Sequence, residues 1–184
     1  LADLRLRARG HIEPMDDLPE NCRPQTLTDA YAIQKTSRLL LVEQGLGTPV
    51  GWKIGCTTPV MQDYLNIPHP CAGTLYQTRC YSEHAQLKQV DFFQLGLECE
   101  IAVRLGADIR AQTTAHSDTT VAAAIVEVMT SVEIVEHRFK DFTQVATASL
   151  VADDFFSVGC VLGKPHPIDS VGDLATLVGG FRIN

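Results

Sequence analysis

The segment LGLECEIAVRL, at 95–105, constrains the fold more than any other stretch of this chain. Successive side chains of a β-strand leave opposite faces. Leu97, Cys99, Ile101, Val103 and Leu105 therefore share one face, and Glu98, Glu100 and Arg104 share the other. The strand has an apolar side and an acidic side, and its carboxylates at 98 and 100 leave the same face about 7 Å apart at the Cα level. Two carboxylates held side by side repel unless a cation or a proton compensates them. An isolated E-x-E is most often a solvated strand face. Here a third glutamate in an apolar setting, Glu133 in SVEIVEH, offers another oxygen ligand. An all-oxygen set with no accompanying His or Cys signature suits Mg²⁺ or Mn²⁺ rather than zinc.

Composition removes several classes of function. A chain of 184 residues, 45% hydrophobic and 20% charged, fits one globular domain or slightly more. No stretch approaches the roughly 18 uncharged apolar residues of a membrane helix, and the opening LADLRLRARGHIEPMDD is too charged for a secretory signal. Membrane and export roles are not expected. A net charge of -7 without a basic cluster argues against nucleic acid as a partner. The six cysteines, at 22, 56, 71, 80, 99 and 160, show no metal spacing and read as reduced, mostly buried thiols of a cytoplasmic protein.

Periodicity divides the chain softly into an N-terminal helical segment, 1–48, and a β-rich core, 49–184. Residues 26–44 carry Ala30, Ile33, Leu40 and Leu41 at helical spacing, with Thr26 and Thr28 as capping candidates and Gly45, Gly47 and Pro49 as the stop. PVGWKIGC alternates as a strand, with Val50, Trp52, Ile54 and Cys56 on one side. A short helix opens at Thr58 and Pro59 and ends before the prolines at 68 and 70. Asp118 caps a helix running through Val121, Ile125, Val128 and Met129; SVEIVEHRF is extended; a helical stretch covers roughly 142–150; FFSVGCVLG is a strand. VGGFRIN reads as a last strand stopping at Asn184, so a C-terminal portion is expected to be missing. Without a regular β-α-β rhythm, the fold class is α+β, or mostly β, rather than doubly wound.

Other residues stand out singly. Lys53 lies mid-strand with Gly51 and Gly55 on its own side, which leaves room for a ligand beside its amine; a strand lysine is otherwise usually an exposed edge residue. Asp153 and Asp154 either include a buried, hydrogen-bonded carboxylate or mark a turn. His137 and Arg138, near Glu133, can orient a carboxylate. Signatures of a nucleophile triad, a P-loop, a dinucleotide fold and a zincin are absent from the chain.

The series GWKIGCTTP, PHPCAGTLY, GLECEIAVRLG, SVEIVEHRF and VADDFFSVGCVLG resembles the fumarylacetoacetate hydrolase superfamily, in particular its 2-keto-4-pentenoate hydratase and 4-oxalocrotonate decarboxylase branch, from about residue 26 onward. The resemblance implies a mixed β-roll or barrel core behind an N-terminal helical segment, with the C-terminal part missing. It implies that Glu98, Glu100 and Glu133 bind Mg²⁺ or Mn²⁺, that Lys53 is the catalytic lysine of G-x-K-x-G, and that Asp153 is the catalytic aspartate of V-A-D-N. Asp154 stands where asparagine is usual. Hydratase relatives carry an acidic residue in P-D-F-G, where this chain reads Pro70, Cys71, Ala72, Gly73. Gly55, Cys71 and Arg138 are the expected substrate contacts.

The expected activity is that of a divalent-metal-dependent lyase on a small 2-oxo acid of aromatic catabolism, through a metal-stabilised enolate. A 2-hydroxypenta-2,4-dienoate hydratase leads; a 4-oxalocrotonate-type decarboxylase and a fumarylpyruvate-type hydrolase share the intermediate. A reading of another class is an inactive paralogue serving as partner to a related hydratase or decarboxylase subunit. A homo-oligomer is the family's habit.

Overall fold

The computed structural model describes residues 14–183. The charged opening segment through residue 13 and the expected stop at Asn184 lie outside the described residues.

Helix α1 (Leu27–Leu41) starts where Thr26 and Asp29 form a capping box: the Thr26 side chain accepts from the Asp29 amide, and the Asp29 carboxylate accepts from the Thr26 amide. Such a cap is worth about 1 kcal/mol. Its buried stripe, Ala30, Gln34, Ser37 and Leu41, is more polar than expected, and Leu40 is exposed. Gln34 explains this, since its amide donates to the carbonyls of Ala72 and Val151 at 2.9 and 3.0 Å and ties three segments together. Positive φ at Gly45 and Gly47 ends the helical region.

Strands β1 (Pro49–Gly55) and β2 (Cys71–Tyr76) form an antiparallel pair, with α2 (Pro59–Leu65) between them in sequence. Thr58 caps α2, and Asn66, in the left-handed region, closes it before Pro68 is reached. The larger sheet has the order β3 (Cys80–Ser82), β6 (Ser157–Leu162), β5 (Ile125–Glu136), β4 (Leu95–Leu105); the short β7 (His166–Pro167) also pairs with β5. Only β3 and β6 run parallel. Helix α3 (Asp118–Ala124) leads into β5, and α4 (Thr147–Ala152) lies between β5 and β6 in sequence.

Three expectations change. The helix after residue 118 is capped by Ser117 and stops at Ala124; Ile125, Val128 and Met129 belong to β5. The long antiparallel ladder with β4, including Val103 against Val128, overrides the helical spacing of this short apolar run. The stretch near 142–150 is a 3-10 turn at Phe142–Gln144 followed by α4. Residues 177–183 form no strand, and Val178 and Ile183 are almost wholly exposed.

The main core joins Leu18 and Ala30 to Val135, Phe139, Leu150, Val151 and Phe155, packing α1 and α4 into one cluster with the inner end of β5. On β1 and β4 the apolar sides face outward: Val50, Trp52 and Ile54 are 54–57% exposed, and Leu97, Ile101, Val103 and Leu105 are 41–49% exposed. Among the described residues, no helix is long and apolar enough to cross a membrane.

Candidate functional site

The opposite side of these strands holds the polar residues, with Lys53 buried on β1 and Glu98 and Glu100 exposed on β4. Glu98 on β4 stands directly opposite Glu133 on β5, so the two side chains share a face, and Glu100 follows two positions along that face. One carboxylate oxygen from each of Glu98, Glu100 and Glu133 lies within 4.8 Å of the others, with Glu133 buried and the other two exposed. Burial raises the Glu133 pKa, which the Lys53 charge partly offsets; burial and then the Glu98 charge raise that of Glu100. Each shift favours a proton on groups that a cation would otherwise compensate.

Lys53 reaches this cluster from β1. Its amine is 3.1 Å from Glu133 Oε1, and the side chain is buried. The same amine lies 4.9 Å from the centre of the Phe155 ring. Two glycines permit the approach. A Cβ on Gly55 would come 2.6 Å from Phe155 Cε1, and one on Gly73 would lie 3.1 Å from Lys53 Cε. The space beside Gly55, expected to take a ligand, is thus filled by the Phe155 ring.

Phe155 is placed by an unusual backbone. Asp154, Phe155 and Phe156, none a glycine, all have positive φ, of 67°, 46° and 65°. Consecutive left-handed residues cost roughly 1–2 kcal/mol each, and the surroundings must compensate. They do so through polar anchors: Asp154 Oδ1 accepts from the Thr74 amide at 2.8 Å, and Ser157 donates to the Thr74 carbonyl at 3.0 Å. Just before this turn, Asp153 is buried and ion-paired with Arg138, which also donates to the Asp153 carbonyl. Glu136 stands 3.8 Å from the same guanidinium and accepts from the Phe93 amide.

The structure therefore brings Lys53 together with Glu98, Glu100 and Glu133, and brings Arg138 together with Asp153. Arg138 is buried and engaged by these two acids. Cys71 pairs with Gly55 in the β1–β2 register, but its thiol is buried in the core and faces His69. Burial pushes that thiol up to about 11. Of the cysteines, three are buried, two half-buried and one exposed, so "mostly buried" overstates the count. Sequence reasoning missed Phe155, Gly73 and Glu136. None of the three carries a local signal; Gly73 stands out only through its register with Lys53 across the β1–β2 pair.

The donor set fits a hard divalent cation. Oxygen ligands at about 2.0–2.6 Å from such an ion lie up to about 5 Å apart across it, which accommodates the 4.8 Å spread of the three carboxylates. Three acids facing one amine also leave the cluster negative.

No family model matches the chain. A 2-keto-4-pentenoate hydratase of Paraburkholderia phymatum is 31% identical over 161 residues, covering 87% of this chain and 60% of the relative. A 2-hydroxyhexa-2,4-dienoate hydratase of Comamonas testosteroni is 32% identical over 173 residues, or 92% of this chain and 62% of that protein. Among solved structures, 4-oxalocrotonate decarboxylase from Pseudomonas putida G7, complexed with magnesium and adipate, matches with a TM-score of 0.81 at 22% identity, over 92% of this chain and 64% of that one. The same enzyme with calcium and acetate matches with a TM-score of 0.79. The expected α+β fold is the fold found. The chain spans only about 60% of the length of the curated relatives it matches.

Proposed function

Because the chain is 31–32% identical to 2-keto-4-pentenoate and 2-hydroxyhexa-2,4-dienoate hydratases and shares the fold of a 4-oxalocrotonate decarboxylase, we propose that it belongs to the hydratase and decarboxylase branch of the fumarylacetoacetate hydrolase superfamily and acts as a Mg²⁺- or Mn²⁺-dependent lyase on a small 2-oxo acid, as a 2-hydroxypenta-2,4-dienoate hydratase. The observation that carries this reading is the convergence of Glu98, Glu100 and Glu133 beside the buried Lys53. Those three carboxylates would hold the ion, whose charge stabilises negative charge on the 2-oxo oxygen.

The remaining chemistry belongs to this chain's own side chains. Lys53 is the proton carrier: its amine exchanges a proton with the carbon skeleton as the dienol and 2-oxo forms interconvert. Glu133 holds that amine in place, and the Phe155 ring shields one side of it from water. Asp153, clasped by Arg138, fixes the start of the left-handed turn that carries Phe155 and acts as a positioning residue. One observation favours decarboxylation as a second reading. Position 71 presents a buried thiol, where the family resemblance implies an acid for a hydratase.

Calorimetric titration with Mg²⁺ tests the centre. Glu98→Gln and Glu100→Gln are expected to lower affinity at least tenfold while circular dichroism stays native, and undiminished binding in both variants refutes the assignment. Mass analysis of products from a 2-hydroxydienoate, an oxalocrotonate and an acylpyruvate separates hydration from loss of carbon dioxide and from C–C hydrolysis.

A further inference from the structure

Two cysteines outside this chemistry sit side by side on neighbouring strands. Cys80 on β3 and Cys160 on β6 are register partners in the parallel pair, and their Sγ atoms are 3.6 Å apart. Neighbouring strands run about 4.8 Å apart, inside the roughly 4.4–6.8 Å Cα window of a disulfide, whose sulfurs approach to about 2.05 Å. The two strands are held close at this point: a Cβ on Gly159 would collide with the Arg79 carbonyl, one residue before each cysteine. Cys80 is half-buried and open to reagent, whereas Cys160 is buried. The other four thiols are distributed as two buried, one half-buried and one exposed.

We infer that Cys80 and Cys160 form a dithiol modification site, which closes to a disulfide by exchange with a low-molecular-weight disulfide of the glutathione class. The Cys80 thiolate attacks one sulfur of the reagent, forming a mixed disulfide and releasing one small thiol. Cys160 then attacks Cys80 Sγ across the strand pair, forming the protein disulfide and releasing the second small thiol. Two protein thiols and one disulfide give one protein disulfide and two small thiols, so atoms and electrons balance without a further oxidant. The sheet places the pair next to the acidic cluster. Cys160 is the register partner of Glu133, which in turn faces Glu98, so all four residues form one row across β3, β6, β5 and β4.

The test uses the native, reduced chain incubated with oxidised glutathione, then denatured, alkylated with N-ethylmaleimide and mapped by mass spectrometry. The expected result is loss of two of the six thiols and a cross-linked peptide pair containing Cys80 and Cys160. Cys160→Ser is expected to retain glutathione on Cys80, because the resolving thiol is gone. Alkylation of all six thiols overturns the inference. So does loss confined to Cys22 or Cys99, or a wild-type glutathione adduct on Cys80 as persistent as in Cys160→Ser.

Discussion

His137 lies against the rings of Phe142 and Phe156, with centroid separations of 4.5 and 5.3 Å. Burial is the main reason its pKa falls below the ordinary 6.5, and the Glu98 charge pulls the other way. Its Nδ1 is buried without a hydrogen-bond partner among the described residues, so the neutral ring serves as an aromatic packing element. The sign of the pH effect follows. The unfolded imidazole takes up its proton near about pH 6.5, before the folded one does. The stabilising contribution is therefore complete above that pH and is lost as pH falls through the depressed folded value. His137→Phe keeps the ring packing and removes the titration. From about pH 7 to about pH 5, the Tm of the wild type is expected to fall relative to that of the variant. A Tm difference that stays constant over this interval would contradict the assignment.

The turn between α4 and β6 is the element on which the lysine's surroundings rest, and it is built from residues that resist its geometry. Asp154 carries a left-handed φ and receives the Thr74 amide, two demands that asparagine meets equally and alanine does not. Asp154→Ala is expected to destabilise the fold by about 2–4 kcal/mol, combining a stranded buried amide with a strained alanine. Asp154→Asn is expected to stay within about 1 kcal/mol of wild type, because its side-chain carbonyl still accepts that bond. Urea denaturation of both variants checks the difference, and equal losses would show that the acceptor is unimportant. This element also marks the limit of what can be read without coordinates. The cap at Thr26, the alternation of β1 and β4, and the shared face of Glu98 and Glu100 all depend on neighbours within a few residues; of the two capping candidates only Thr26 serves, with Asp29 as its unforeseen partner. Ile125 to Met129 could not be assigned that way, since its strand state depends on β4, some twenty residues earlier in the chain. The Phe155 contact with Lys53 is equally non-local, because no spacing rule anticipates three left-handed residues of which two are phenylalanines.

Across the whole molecule, one geometric fact links the site to the surface. Alternation on β1 and β4 sends Lys53, Glu98 and Glu100 to one side, and so it sends Val50, Trp52, Ile54, Leu97, Ile101 and Val103 to the other. Those apolar side chains remain exposed, apart from the Arg38 guanidinium stacked 4.9 Å from the Trp52 ring centre. Among the described residues β4 is also an edge strand, with no further strand paired along one side. Contiguous apolar surface of this kind is uncommon on a soluble monomer and attracts amphiphilic molecules. An anilinonaphthalene sulfonate dye is therefore expected to fluoresce on the native chain. The double substitution Ile101→Lys and Val103→Lys is expected to lower that signal while leaving Tm within about 2 °C, since exposed side chains contribute little to the core. Some fluorescence should persist, because the β1 face is untouched. An unchanged signal would mean that the dye does not reach β4, and that the outward side of the acid-bearing strand is covered in solution.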